Sequence, residues 1–166
     1  MKRIIRVLLF IMLSVLMFSC SADTVETANR NTNEKLVTNY DYNESEVEIM
    51  QLINDYRLSV GLNKLEIVNH ISYKSEEHNL YMITNNVVNH NGFVERSENI
   101  VNLLGAKNVG ENVGYNYKTS GAVVQAWLES PEHKKNIEGD YSHFGIAVKI
   151  HPETGKKYYT NIFVKI

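Results

Sequence analysis

Three ionisable residues of the kinds that perform catalysis or bind metals stand in segments that disfavour helix formation. His90 lies in the stretch NHNG, residues 89–92, Glu111 follows Gly110, and His143 opens the segment HFGIAV, residues 143–148. Imidazole and carboxylate groups together can activate water, and both bind zinc through nitrogen and oxygen atoms. Taken singly, each residue is explained as well by a solvated surface group. The three predict a site only if the fold brings them together.

The stretch WLESPEHKKNI, residues 127–137, places further polar side chains beside the only tryptophan. Trp127 is predicted to be buried, and Pro131 is expected to stop the helix that precedes it. His133 and Asn136 lie three residues apart, where they can hydrogen-bond the local backbone. A capped helix end explains this stretch at least as well as a catalytic site does. A fourth histidine, His78, falls on an apolar helical stripe and is predicted to be a core residue outside the site.

The N-terminal region has the layout of an export signal. A basic start at Lys2, Arg3 and Arg6 precedes the apolar run Val7–Phe18, which is shorter than the ~20 residues of a membrane span. Cys20, the only cysteine, follows directly. A lone cysteine after an export signal resembles the lipobox of bacterial lipoproteins, in which that cysteine is lipidated. The alternative is an ordinary secreted protein with a cysteine near its cleavage site.

These features predict three regions: an export signal at 1–19, a lipidated cysteine with a flexible tether at 20–42, and one folded domain at 43–166. The segment Ser21–Asn39 is polar and rich in Asn, Thr and Glu, so it cannot bury enough apolar surface to fold. Loss of residues 1–19 with their three basic residues lowers the formal net charge from −2 to −5. A negative chain offers no electrostatic basis for binding nucleic acid.

The helices and strands that carry the candidate side chains are predicted from hydrophobic periodicity and turn signals. Helical spacing predicts helices, of which the first is capped by Ser45 or Asn43 and the third ends at Gly105. Alternation of apolar residues around a turn predicts a terminal hairpin with a third strand nearby. Helices first and strands last indicate an α+β fold. The predicted helices are Glu44–Leu58, His70–Asn85, Glu95–Leu104 and Ser120–Leu128, and the predicted strands are His143–Ile150, Tyr158–Ile166 and one that includes Glu111–Tyr117.

The order of the motifs resembles the CAP superfamily, also called the SCP domain, which comprises cysteine-rich secretory proteins, antigen 5 and pathogenesis-related 1 proteins. The bacterial branch is the most similar. INDYRLSVGLNKL, residues 53–65, resembles the opening helix of that branch, and His78 with Met82 resembles its His…Met helix pattern. NHNGF, GENV, WLESPEHKKNI and HFGIAV resemble further family motifs in the same order. The resemblance covers Glu44–Ile166.

The resemblance implies a three-layer α–β–α sandwich with a central, mainly antiparallel sheet and a cleft that two histidines and two glutamates line. His90, Glu111 and His143 match three of those motif positions. Ser130 stands where the second glutamate is usual, and His133 lies on the same turn. We therefore expect these five residues to line the cleft, with weak binding of a divalent metal such as zinc by His90 and His143 beside Glu111, and no other cofactor.

Three functions are compatible with these expectations. The preferred one is a non-enzymatic binding module for a lipid, a sterol or a host molecule. The lipidated Cys20 would anchor it to a membrane of the bacterial cell envelope, at the outer membrane or cell surface. The second is a hydrolase, of protease type, in which His90, His143 and Glu111 activate water, with Ser130 as a weaker candidate nucleophile. The third is a structural envelope protein with a vestigial cleft.

Overall fold

A computed structural model describes residues 35–166, so the predicted export signal, Cys20 and the tether up to residue 34 lie outside the described residues. Five helices and four strands follow one another in residues 35–166. They are α1 (Glu44–Ser59), β1 (Glu66–Ile67), α2 (Asn69–Asn85), α3 (Phe93–Leu104), β2 (Asn108–Tyr115), α4 (Ser120–Glu129), α5 (Pro131–Ile137), β3 (His143–Ile150) and β4 (Lys157–Lys165).

The four strands form one mixed sheet in the order β1-β3-β4-β2. Strands β3 and β4 form the predicted antiparallel hairpin, and β2 pairs antiparallel with the other side of β4. The short strand β1, which the sequence did not predict, pairs parallel with β3. The sheet is therefore mainly antiparallel, with β2 at one edge.

Helices cover both faces of the sheet, because alternate residues of each strand point to opposite sides. On one face Trp127 of α4 packs in a cluster with Ile53 of α1, Ile137 of α5 and Phe163 of β4. On the other face Ile71 of α2 and Ile100 of α3 pack against strand residues of β4. The predicted α+β fold and its three-layer α–β–α sandwich are confirmed.

Local signals fix several element ends as predicted. Asn43 accepts a hydrogen bond from the Glu46 backbone while the Glu46 side chain accepts one from the Asn43 backbone, which is a complete capping box. Gly105 ends α3 in the left-handed conformation. Pro131, expected to stop the preceding helix, follows the end of α4 at Glu129 and also begins α5, because the first helical position needs no backbone N–H.

Residues 35–42 lie against the domain although they fall within the predicted tether. The Val37 backbone N–H donates to Nδ1 of His70 at 3.2 Å, and the Asn69 side chain donates to the Thr38 carbonyl at 2.6 Å. Tyr42 donates to Asn69 Oδ1 at 3.0 Å. The segment that packs on the domain therefore begins before residue 43. None of the helices in residues 35–166 is long and apolar enough to cross a membrane.

Candidate functional site

A cleft of about 410 Å³ opens at the β2 edge of the sheet, between the loop before α3 and helix α5. Its volume falls within the ~300–1,000 Å³ typical of small-molecule sites. Polar and aromatic side chains from both helical layers meet there because β2 is an edge strand. The cleft is lined by His90, Phe93, Val109, Gly110, Glu111, Glu132, His133, Lys135, Asn136 and Tyr141.

The carboxylate of Glu111 lies at the base of this cleft and is bound by a buried arginine. Arg96 of α3 donates from Nε to Oε2 at 3.1 Å and from NH2 to both carboxylate oxygens at 2.8 and 3.0 Å. Glu111 is 6% exposed and Arg96 is 9% exposed. A two-pronged pair of this kind is strong and directional, and it compensates the charge of the carboxylate.

Sequence reasoning missed Arg96. A signal was available, since Arg96 lies one helical turn before the buried Ile100 and so on the inward stripe of α3. A charged residue on such a stripe requires a buried partner of opposite charge. The partner lies on a different element, so the pattern alone does not identify it as Glu111.

His90 completes the contacts of Glu111 from the solvent side. Its Nδ1 lies 2.8 Å from Glu111 Oε1. An ionised carboxylate only accepts hydrogen bonds, so Nδ1 carries the proton and donates, and Nε2 of neutral His90 is left as an acceptor. The His90 side chain is 52% exposed. His90 therefore presents Nε2 to a ligand while its other nitrogen is fixed.

His78 approaches the same carboxylate from the protein interior. Its Nδ1 lies 3.7 Å from Glu111 Oε2, and the residue is 1% exposed on α2. Burial lowers the pKa of His78 to about 4, and the nearby Glu111 charge opposes this shift only in part. His78 is therefore neutral at physiological pH, which agrees with its prediction as a core histidine.

Helix α5 supplies the opposite wall of the cleft and is tied to β2 by amide side chains. Asn136 donates to the Glu111 carbonyl at 3.0 Å and to Asn112 Oδ1 at 2.9 Å. Asn112 in turn donates to the His133 carbonyl at 3.0 Å. The pKa of His133 is lowered, first by burial and then by the charge that His90 carries when protonated. His90 and His133 thus face the same space.

Gly110 permits the close approach of α5 and the loop that follows it. A Cβ atom at this position would lie 2.4 Å from Tyr141 Oη and 3.0 Å from Asn136 Oδ1. No side chain fits there unless the cleft wall moves. The glycine before Glu111 is therefore a steric requirement of the site.

His143 does not reach the cleft, so the prediction that it converges with His90 and Glu111 is wrong. His143 pairs with Val164 on β4, and β4 separates β3 from β2, a distance of about 10 Å across two strand spacings. Its Nδ1 bonds Ser142 Oγ at 2.8 Å and its Nε2 lies 3.6 Å from Glu66 Oε2.

The predicted assignments of His133 and Ser130 have different outcomes. His133 lines the cleft and supplies the second histidine there. Ser130 occupies the position before the first residue of α5 and is not a lining residue.

The predicted divalent metal set does not fit this arrangement. Both oxygens of Glu111 are engaged by Arg96, and His143 is absent from the cleft. Within residues 35–166 no three His, Cys, Asp or Glu side chains are grouped as metal ligands. Two imidazoles alone fall short of the three or four protein ligands of ordinary zinc sites.

Comparison with models of known protein families identifies a match to one family. The model of the cysteine-rich secretory protein family, CAP, matches residues 50–164. The chain is 33% identical over 127 residues to the uncharacterized membrane protein YlbC of Bacillus subtilis, and 30% identical over 106 residues to the uncharacterized protein YkwD of the same organism. These matches cover 73% and 61% of this chain. They cover only 34% and 41% of the two relatives, so the chain spans well under half of their length.

Two of the solved structures with the same fold are those of a bacterial outer surface protein and a bacterial extracellular protein. An outer surface protein of Borrelia burgdorferi aligns with a TM-score of 0.68 at 21% identity, over 76% of this chain and 96% of that one. An extracellular protein of Bacillus anthracis that contains an SCP domain aligns with a TM-score of 0.66 at 23% identity, over 74% of this chain and 40% of that one. At these identities the likeness establishes the fold alone.

Proposed function

Because the chain belongs to the cysteine-rich secretory protein (CAP) family, we propose that it is a bacterial CAP domain displayed on the cell envelope, with a cleft that binds a ligand and does not hydrolyse it. The anchor in this proposal is a lipid on Cys20, which precedes a polar tether. The outer surface and extracellular origin of two structural relatives supports display outside the cytoplasm.

The hydrogen bonds and the burial of the Glu111 carboxylate are the observation that favours binding over hydrolysis. A general base must offer a free lone pair to a water molecule at the reacting atom. The Glu111 oxygens accept three hydrogen bonds from Arg96 and one from His90, and the side chain is buried. Such a carboxylate orients His90 but is poorly placed to take a proton. Ser130, the candidate nucleophile, lies outside the cleft.

The lining of the cleft suits a ligand with an apolar body and a polar end. Phe93, Val109 and Tyr141 supply apolar surface, and His90 and His133 supply imidazole groups on facing walls. Fatty acids and sterols each have an apolar body and a polar group at one end. We therefore propose a lipid-like ligand, or the equivalent group on a host molecule, for this cleft.

Binding and turnover can be measured side by side on the purified chain in detergent micelles. Oleate and cholesterol are the binding probes, and a nitrophenyl ester and casein are the hydrolysis probes. We expect saturable binding of one lipid that His133→Ala weakens, with no turnover of either hydrolysis probe. His151→Ala, in the turn between β3 and β4, is the matched control.

Two results would contradict this proposal. Turnover that His90→Ala or His133→Ala abolishes would establish a hydrolase. Absence of both binding and turnover, with a folded protein, would favour a structural role with a vestigial cleft.

A further inference from the structure

The loop that carries His90 contains the pair Asn91-Gly92, the only place in the chain where glycine follows asparagine. Both residues are exposed, and they form the middle of a turn that the Phe93 N–H closes on the His90 carbonyl at 3.1 Å. Gly92 has a φ of 74°, which glycine adopts without strain. The proposed function makes no use of Asn91, although its neighbour His90 lines the cleft.

An asparagine that precedes glycine can lose its side-chain amide without an enzyme. The backbone nitrogen of the next residue bonds to the asparagine Cγ, the Cγ–Nδ2 bond breaks, and the displaced proton leaves with the amide nitrogen as ammonia. Water then opens the resulting succinimide ring at either carbonyl, which leaves aspartate or isoaspartate. A side chain on the next residue hinders the attack, and Gly92 has none.

The surroundings of the Asn91–Gly92 peptide group favour this attack. Arg96 NH1 donates to the Asn91 carbonyl oxygen at 2.8 Å. When the Gly92 nitrogen loses its proton, the peptide group shares the negative charge with that oxygen, so a cationic donor there stabilises the reactive form. Within residues 35–166 the Gly92 N–H has no hydrogen-bond acceptor. Its proton is therefore not held by another group of the described chain.

One side-chain contact opposes the attack. The Asn91 amide donates from Nδ2 to Tyr81 Oη at 3.2 Å, which holds the Asn91 side chain against α2. Asn91 is exposed and Tyr81 is 38% exposed, so water can replace this hydrogen bond at little cost. Once the amide is released, its Cγ is free to approach the Gly92 nitrogen.

We propose that Asn91 is a site of spontaneous deamidation, and that its products alter the Arg96–Glu111 pair that orients His90. Asn91 and Arg96 line the same cavity of about 250 Å³, so the new carboxylate shares it with the guanidinium and competes with Glu111. A negative charge just before the first turn of α3 is also favourable. Isoaspartate adds one carbon atom to the backbone next to His90. An effect on ligand binding rests on the proposed function, whereas the modification itself does not.

The modification is measured on the purified whole chain in detergent micelles, incubated in mildly alkaline buffer. Peptide mass spectrometry detects the conversion of amide to acid, and enzymatic methylation detects isoaspartate. We expect both products at Asn91 and neither at Asn102, which is exposed on α3 and precedes a leucine. Trp127 fluorescence verifies that the protein stays folded. No modification at Asn91, or equal modification at Asn102, would overturn the proposal.

Tyr81→Phe tests the restraint, because it removes the hydroxyl that holds the Asn91 amide and keeps the ring. This variant should deamidate about threefold faster, the effect of one weak hydrogen bond. Tyr73→Phe is the matched control, since Tyr73 lies on the same helix with 36% exposure and does not line this cavity. It should keep the wild-type rate. Equal rates in the two variants would refute control of the reaction by Tyr81.

The effect on the site is measured by the NMR resonance of the Arg96 Nε–H group, which donates to Glu111, and by oleate binding. We expect a shifted resonance and weaker binding in the deamidated protein and in Asn91→Asp. Asn91→Gln, incubated in the same way, should keep both. An unshifted resonance in deamidated protein would overturn the effect on the pair. If fresh protein fails to bind oleate, the proposed function fails, while the mass measurement still decides the deamidation.

Discussion

Arg96 and Glu111 form a buried two-pronged ion pair in which NH2 and Nε of the arginine contact both carboxylate oxygens within 2.8–3.1 Å. The pair joins α3 to the edge strand β2, and each residue is less than a tenth exposed. Arg96 therefore compensates the charge of Glu111 and fixes the orientation of the carboxylate that accepts the hydrogen bond from His90. The stability of this part of the domain depends on both partners being present.

Removing the arginine should destabilise the protein strongly. Arg96→Gln leaves Glu111 as a buried and uncompensated charge, and such losses cost about 3–5 kcal/mol. Arg96→Lys keeps the charge but loses the two-pronged geometry, so it should cost less. Urea unfolding followed by Trp127 fluorescence measures both. Equal stability of wild type and Arg96→Gln would show that the pair is dispensable.

Acidification should destabilise the domain through His78. Its pKa in the folded state is lowered to about 4, chiefly by burial, while an unfolded histidine has ~6.5. The folded state thus favours neutral His78, and this contribution is complete above about pH 6.5 and is lost as the pH falls toward 4. The loss amounts to roughly 3 kcal/mol. The free energy of unfolding in urea, measured across this pH range, checks it.

His78→Gln is the control for that measurement, because it removes the titrating group. The variant should be less stable overall but should lose the part of the pH dependence that belongs to His78. His151→Gln, in the turn between β3 and β4, should keep the wild-type slope. An unchanged slope in His78→Gln would assign the acid sensitivity to other groups.

Local signals in the sequence were sufficient for most of the fold. The Asn43 cap, the Gly105 helix end and the terminal hairpin each depend on residues adjacent in the chain, and all three have the expected structure. The strand β1 was missed because two residues carry no periodicity, and its pairing with β3 is parallel and non-local.

The candidate site was predicted less completely, because it depends on strand order. His90 and Glu111, expected in one cleft, are hydrogen-bonded, and His133, also expected there, lines it, but His143 was chosen with them and does not reach it. The choice turns on β4 lying between β3 and β2, which no local pattern reveals. Arg96 was missed for the same reason, since its partner lies on another element.

Cys20 should be required for membrane attachment. The residue lies outside the described part of the chain, and the prediction rests on its position after the apolar run Val7–Phe18. Cys20→Ala should shift the protein from the membrane fraction to the soluble fraction of cells, and should abolish incorporation of labelled palmitate. Retention of Cys20→Ala in the membrane fraction would show that the anchor is elsewhere.

Gly110→Ala should disrupt the cleft, because the new methyl group would lie 2.4 Å from Tyr141 Oη and 3.0 Å from Asn136 Oδ1. Tyr141 is buried and Asn136 is held by two hydrogen bonds, so neither side chain can yield freely. Overpacking of this kind costs about 1–3 kcal/mol. We expect that loss in urea unfolding, together with weaker binding in the cleft, because α5 must move away from β2.

Gly121→Ala is the matched control, since a Cβ there meets no atom within 4 Å. In the helix α4 that change should stabilise the protein by about 0.5–1 kcal/mol. Equal effects of the two substitutions would refute a steric role for Gly110.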